Sequence, residues 1–374
     1  MESLCALRRL RDRQRQPFNV IKRASFLCET GQTKGWVTEL RKEMTINNEV
    51  PGIGVAQLAA NKRIEDRFVV SRIRKPLSFG GGTVRFLAVV DGHGGRHVAQ
   101  YVREHLAQAV EAELEAIATV EGELPSLYER ALKTAFLKVD QDIRKRLKHA
   151  ADFGFSRVIK TGACCLAVIV EEEYFVVGNC GDCEGFVGGS RTRPVALAVP
   201  QSANCPQEQA RLRKDHPGEE DVVVCKRVRK SLKQPLGVLS MAAAYAVPGF
   251  IPAAIPECLK ELVTLDTLPT ACVNETMGAC YVKGRLMPSR SFGDFHLKEE
   301  RFAFDKENEK PFVHPPHSFP YITAEPETFV VTRSPDHEVV VLGSDGVWDF
   351  CTTDEVAKVA KRSRLSPPSK IAAE

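Results

Sequence analysis

Phe86-Leu87-Ala88-Val89-Val90-Asp91-Gly92-His93-Gly94-Gly95 decides the fold. The apolar run Val84 to Val90 reads as a strand, and that strand ends on an acid, a histidine and glycines. The same pattern recurs twice: Val339 to Ser344 runs into Asp345-Gly346, and Tyr174 to Asn179 runs into Cys180-Gly181-Asp182. A single Asp-Gly pair is a common hairpin turn. Several carboxylates brought together at buried strand ends are different, because they repel and are driven toward protonation unless a divalent cation neutralises them. Carboxylates with a backbone carbonyl are hard oxygen ligands, suited to Mg²⁺ or Mn²⁺ rather than zinc. Glu65-Asp66, flanked by Ile64 and Phe68 in a stretch read as half-buried strand, adds two more acids.

Outward from this segment, the chain reads as strands, then helices, then strands. Gly54 to Leu58 and Arg67 to Val70 precede it as strands, and Gly80-Gly81-Gly82 turns the chain into Val84. Val98, Tyr101, Val102, Leu106, Ala109 and Val110 recur at helical spacing, as do Leu132, Ala135, Phe136, Val139 and Ile143. Gly162 to Val170 and Tyr174 to Asn179 form a hairpin through Glu171-Glu172-Glu173, which points to an antiparallel sheet. Asn204 is placed to cap a short helix from Pro206, and Thr352 with Glu355 makes a capping box for a last helix. Thr328 to Thr332 and Glu338 to Leu342 read as late strands. Between Lys226 and Tyr281 the texture changes, basic at first and then rich in Ala and Pro, with an amphipathic turn at Glu257 to Leu265. That stretch reads as an insertion.

The chain has 374 residues, 43% of them hydrophobic, enough for one large domain or two small ones with a substantial core. Lys and Arg number 52 against 48 Asp and Glu, a net charge of +4, too balanced to indicate nucleic-acid binding. No run approaches the length of a membrane-spanning helix. The 12 cysteines are scattered, many in apolar runs, and read as reduced thiols of an intracellular protein. Cys180 and Cys183 form one CxxC without a second half, which reads as two small residues in a turn rather than a zinc site. The N-terminal 1–50 extension is basic through Arg8, Arg9, Arg11, Arg13 and Arg15, yet Glu2 and Asp12 interrupt it. It leaves open a cytoplasmic, nuclear or mitochondrial placement. No GxxxxGK[ST] loop or HRD-type segment supports a kinase or nucleotide-binding enzyme.

The strings Ile64-Glu65-Asp66-Arg67, Val89 to Gly95, Gly178 to Asp182, Ser289 to Asp294 and Leu342 to Asp349 together resemble the ordered motifs of the PP2C family of metal-dependent serine/threonine protein phosphatases. Asn61 to Arg67, Asp215-His216-Pro217, Leu286-Met287-Pro288 and Tyr321 to Glu327 are similar to its pyruvate dehydrogenase phosphatase branch. The resemblance implies an α+β fold, an α-β-β-α sandwich of two antiparallel sheets flanked by helices, occupying 51–374 with an enlarged flap near 226–281. It implies a cleft for two Mn²⁺ or Mg²⁺ ions held by Glu65, Asp66, Asp91, the Gly92 carbonyl and Asp345, with Asp91 bridging. Asp182 and Asp294 match acids that serve a weaker third metal. By the same resemblance, the metals would activate a bridging water for attack on a phosphorylated protein substrate and His93 would act as general acid, with a merely supporting role for His93 as the alternative. A monomer acting without nucleic acid or membrane is implied.

Two departures from the family pattern shape the expectation. Many members carry an Arg, which grips phosphate, where this chain has Asn61; strand alternation would put Arg63 on the same face as Glu65, so Arg63 with Asn61 is the candidate phosphate site, against a solvated Arg63. Family members also continue to an Asp-Asn pair whose Asp is a further metal ligand, and none follows Asp345 here. The domain is therefore read as C-terminally incomplete, either as a truncated chain or as a protein that naturally lacks that ligand and its strand. Two readings stay open, an active phosphatase and a pseudophosphatase that binds partners without turnover.

Overall fold

The structure, a computed structural model, describes residues 44–47, 55–58, 64–189, 192–229 and 275–362. The basic extension before Met44, Asn61, Arg63 and the amphipathic turn at Glu257 to Leu265 lie outside the described residues. In chain order the strands are β1 (Met44–Asn47), β2 (Val55–Leu58), β3 (Arg67–Arg74), β4 (Thr83–His93), β5 (Gly162–Val170), β6 (Tyr174–Cys180), β7 (Glu184–Gly188), β8 (Val195–Ala196), β9 (Val223–Arg229) and β10 (Glu275–Val282). They continue as β11 (Phe292–Gly293), β12 (Phe304–Asp305), β13 (Lys310–Pro311), β14 (Glu327–Thr332) and β15 (Val339–Gly343). The helices are α1 (His97–Ala116), α2 (Leu124–Asp152), α3 (Pro206–Asp215), α4 (Asp345–Trp348) and α5 (Thr353–Arg362).

Two units divide the chain: Met1–Val223 with Tyr281–Glu374, and Val224–Cys280. The first holds a six-stranded sheet in the order β14-β6-β5-β4-β3, with β11 on β5, and a three-stranded sheet in the order β15-β7-β8. Their paired strands are antiparallel. Strand β5 shows why they stack. Its residues alternate in side-chain direction, and both directions are apolar: Ala163, Cys165, Ala167 and Ile169 join a core with α1 and α2, whereas Cys164, Leu166 and Val168 join one with Val187, Val340 and Leu342. Burying each large aliphatic side chain contributes about 1.5–3 kcal/mol. A third cluster, Phe186 with Val356, Ala357 and Trp348, covers the far side of the smaller sheet. The layer order is helix, sheet, sheet, helix, as the resemblance implies.

Local signals succeed unevenly. The capping box forms: the Thr352 N–H donates to Glu355 Oε2 at 2.9 Å, and the Glu355 N–H donates to Thr352 Oγ1 at 3.3 Å. Asn204 does not cap α3; Cys205 holds that position without a side-chain bond, and Pro206, which has no N–H to satisfy, starts the helix. Glu65 and Asp66 lie before β3 rather than in a strand. The expectation that every cysteine is a reduced thiol is corrected at two positions. In the second unit β9 and β10 are hydrogen-bonded neighbours, and this pairing joins Cys225 and Cys280 in a disulfide. Cys180 and Cys183 are buried free thiols. Among the described residues no helix is long and apolar enough to cross a membrane.

Candidate active site

Strand β4 carries Asp91, Gly92 and His93 to the sheet end, opposite Cys164, Ala163 and Gly162 of β5. Asp91 is 1% exposed and His93 9%. Bare backbone makes this possible. A Cβ on Gly92 would stand 2.6 Å from the Glu65 carbonyl oxygen, so Gly92 lets the segment bearing Glu65 and Asp66 approach. A Cβ on Gly162 would fall 1.9 Å from Asp294 Oδ2 and 2.5 Å from His93 Nε2. Over that glycine the two side chains meet, and His93 Nε2 donates to Asp294 Oδ2 at 2.6 Å.

Asp294 arrives on a turn after β11, with Gly293 at φ 73° and Asp294 itself left-handed at φ 49°. The Asp294 N–H donates to the Thr161 carbonyl at 3.0 Å, and Oδ2 also accepts from Ser291 Oγ at 2.7 Å. Burial pushes this carboxyl up, but His93, His296 and Ser291 outweigh it and hold Asp294 below its ordinary range.

Asp182 follows β6 and a left-handed Gly181. Burial first, and then the charge of Asp345, push the Asp182 carboxyl up to about 6, against the pull of Cys164 and His93. Burial raises the Cys183 thiol too, and the charges of Asp91, Asp182 and Asp345 add to it. Asp91, Asp182 and Asp345 thus all act on Cys183, and Asp345 and His93 act on Asp182, so these charges share one neighbourhood. Asp66 is drawn toward it by Ser344, next to Asp345, whose Oγ donates to Asp66 Oδ2 at 3.0 Å.

A cation is not part of the structure, so its fit rests on the donors. Asp294 Oδ1 and Asp345 Oδ1 are buried carboxylate oxygens without a hydrogen-bond partner. Such oxygens are costly in a protein interior unless a cation or donor reaches them. With Asp182 held up by burial and by the neighbouring Asp345, the set suits a hard divalent ion. Among the described residues, however, no three His, Cys, Asp or Glu side chains form a ligating group. Hydrogen bonds account for part of this: Asp66 is engaged by Ser344, and Asp294 by His93 and Ser291. Glu65 is half-buried beside Asp66, while Asn61 and Arg63 lie outside the described residues.

Sequence reading missed the His93–Asp294 bond, the part played by Gly162, and the roles of Ser291 and Ser344. Both serines sit inside the motif strings, so position alone marked them. It missed as well the buried Asp140, whose Oδ1 accepts the Gly293 N–H at 2.8 Å, although an acid one turn after Phe136 on an apolar helix face is itself a signal.

The family profile described as Protein phosphatase 2C matches residues 60–235 and 272–374. The chain belongs to the protein phosphatase 2C family. It is 24% identical over 316 residues to probable protein phosphatase 2C 67 of Arabidopsis thaliana, covering 83% of this chain and 69% of that relative. It is 26% identical over 281 residues to probable protein phosphatase 2C 14 of the same plant, covering 75% of this chain but only 42% of the relative. A serine-threonine phosphatase 2C from Toxoplasma gondii superposes with a TM-score of 0.51 at 16% identity, over 88% of this chain and 86% of that one. A Caenorhabditis elegans sex-determining protein gives 0.52 at 17% identity, over 88% and 59%. Both establish the fold, and the matches speak for the family rather than for any branch within it.

Proposed function

We propose that this chain hydrolyses phosphoserine and phosphothreonine in proteins, with Mn²⁺ or Mg²⁺ at the acid cluster. What supports the reading is that the charges of Asp91, Asp182 and Asp345 all act on Cys183, that His93, hydrogen-bonded to Asp294, acts on Asp182, and that the chain belongs to a phosphatase family. Glu65, Asp66, Asp91, the Gly92 carbonyl and Asp345 would hold a metal pair, and Asp182 and Asp294 a weaker third ion. When bound, the metals supply a low-pKa water and offset phosphoryl charge. The chain's own residues do the rest. Asp294 holds the His93 ring through the bond to Nε2, and His93 would supply the proton for the serine or threonine leaving oxygen. Gly92 and Gly162 keep the floor of the site clear for these approaches.

The test is hydrolysis of a phosphothreonine peptide with Mn²⁺ and with EDTA. Turnover that appears with Mn²⁺ and vanishes with EDTA supports the reading. Mn²⁺ bound without turnover favours a binding protein of the same fold.

A further inference from the structure

Beneath the Gly293–Asp294 turn lies a buried charged pair that the phosphatase reading leaves without a task. Asp140, on the inner face of α2, is 9% exposed. Its Oδ1 accepts the Gly293 N–H at 2.8 Å, and its Oδ2 accepts Lys298 Nζ at 2.7 Å. The Lys298 side chain is 8% exposed, and its Nζ also donates to the Ser291 carbonyl at 2.8 Å. One ion pair therefore grips the turn before, within and after its bend.

The bend needs a grip. Gly293 and Asp294 are successive left-handed residues, a conformation that glycine adopts freely and aspartate does not. What the bend presents is functional: Ser291 Oγ and His93 Nε2 both donate to Asp294 Oδ2, at 2.7 and 2.6 Å. A buried pair kept for stability alone is replaceable by apolar side chains, because desolvation cancels much of its attraction. Its acceptor role is not replaceable in that way. No apolar side chain accepts the Gly293 N–H.

We propose that Asp140, held by Lys298, is a positioning residue that sets the Gly293–Asp294 turn, and through it the orientation of His93 and the metal affinity of the acid cluster. Its consequence for turnover rests on the phosphatase reading; its consequence for metal binding does not.

Two variants separate position from stability. Asp140→Leu with Lys298→Met removes both charges at similar volume, and Asp140→Asn keeps one acceptor but leaves the Lys298 charge unmatched. Metal-free full-length protein is titrated with Mn²⁺ by calorimetry, and the ring ¹⁵N resonances of His93 are recorded before metal is added. The double variant is expected to fold, with a melting temperature lowered by the unmatched Gly293 N–H and Ser291 carbonyl, to bind Mn²⁺ about tenfold or more weakly, and to shift the His93 resonances. Its kcat on a phosphothreonine peptide at saturating Mn²⁺ falls about 10–100-fold with KM little changed. If the double variant does not fold, Asp140→Asn carries the test, with the same weakening of Mn²⁺ and the same shift at His93 in smaller measure. Wild-type Mn²⁺ affinity and wild-type His93 resonances in the folded variants overturn the proposal. A wild-type protein without turnover, in which Mn²⁺ binding still depends on Asp140, sinks the phosphatase reading alone. Wild-type turnover with variants that bind Mn²⁺ normally sinks the positioning role alone.

Discussion

Replacing Gly162 by alanine asks whether the site depends on the contact between His93 and Asp294. The added Cβ would stand 1.9 Å from Asp294 Oδ2, and contacts under 3.0 Å are not sustained, so carboxylate or strand must yield by about 1.1 Å. The His93–Asp294 hydrogen bond is 2.6 Å long, and displacement on that scale takes it beyond hydrogen-bonding distance. A hydrogen bond to a charged group is worth about 1.5–3 kcal/mol. If that bond orients the acid in the transition state, kcat falls by roughly 10–150-fold, at 1.36 kcal/mol per factor of ten. The assay is phosphate release from a phosphothreonine peptide at saturating Mn²⁺, with a thermal melt of the same sample. A folded Gly162→Ala protein with wild-type kcat would refute the reasoning.

Three further outcomes follow from the packing and the charges. Lys283 Nζ reaches Glu219 Oε2 at 2.9 Å, Asp221 Oδ1 at 2.7 Å and the Pro316 carbonyl at 3.0 Å. Lys283→Met strands the buried Glu219 carboxylate and is expected to cost about 3–5 kcal/mol in urea unfolding. Phe136 is fully buried, with its ring 5.0 Å from that of Phe292. Phe136→Ala should cost about 3–5 kcal/mol by the same measurement. Acidification should destabilise the fold in two stages. Burial lowers His216 from its ordinary 6.5, so the unfolded chain takes up that proton first and stability falls as pH drops below that value toward the folded one. Glu219 is held low because bonds from Ser318, Lys283 and Tyr321 outweigh its burial, so its contribution is present above about 4.5 and is lost as pH falls through its folded value. His216→Gln, compared with wild type in melts from pH 7 to 5, should flatten the first stage.

The layers were legible because the pattern is local. The apolar run of β5 and the helical spacing of Leu132, Phe136 and Ile143 need no distant partner to be read. The acids at the strand ends were legible for the same reason, as was the capping box at Thr352. What could not be read was how those acids are occupied. The His93–Asp294 bond joins residues 201 positions apart, and Ser344 meets Asp66 across 278. Asn204 failed as a cap because Pro206 fixes where α3 begins. Cys225 and Cys280 pair across 55 positions through a strand contact that sequence spacing does not encode.

The most direct measurement follows Mn²⁺ occupancy and phosphate release in a single titration. Metal-free protein is titrated with Mn²⁺ by calorimetry while release from a phosphothreonine peptide is read at each step. The account predicts that turnover rises with the same midpoint as occupancy, and that Asp91→Asn lowers both. Turnover that persists in EDTA, or Mn²⁺ that saturates the acid cluster while no phosphate appears, would contradict it.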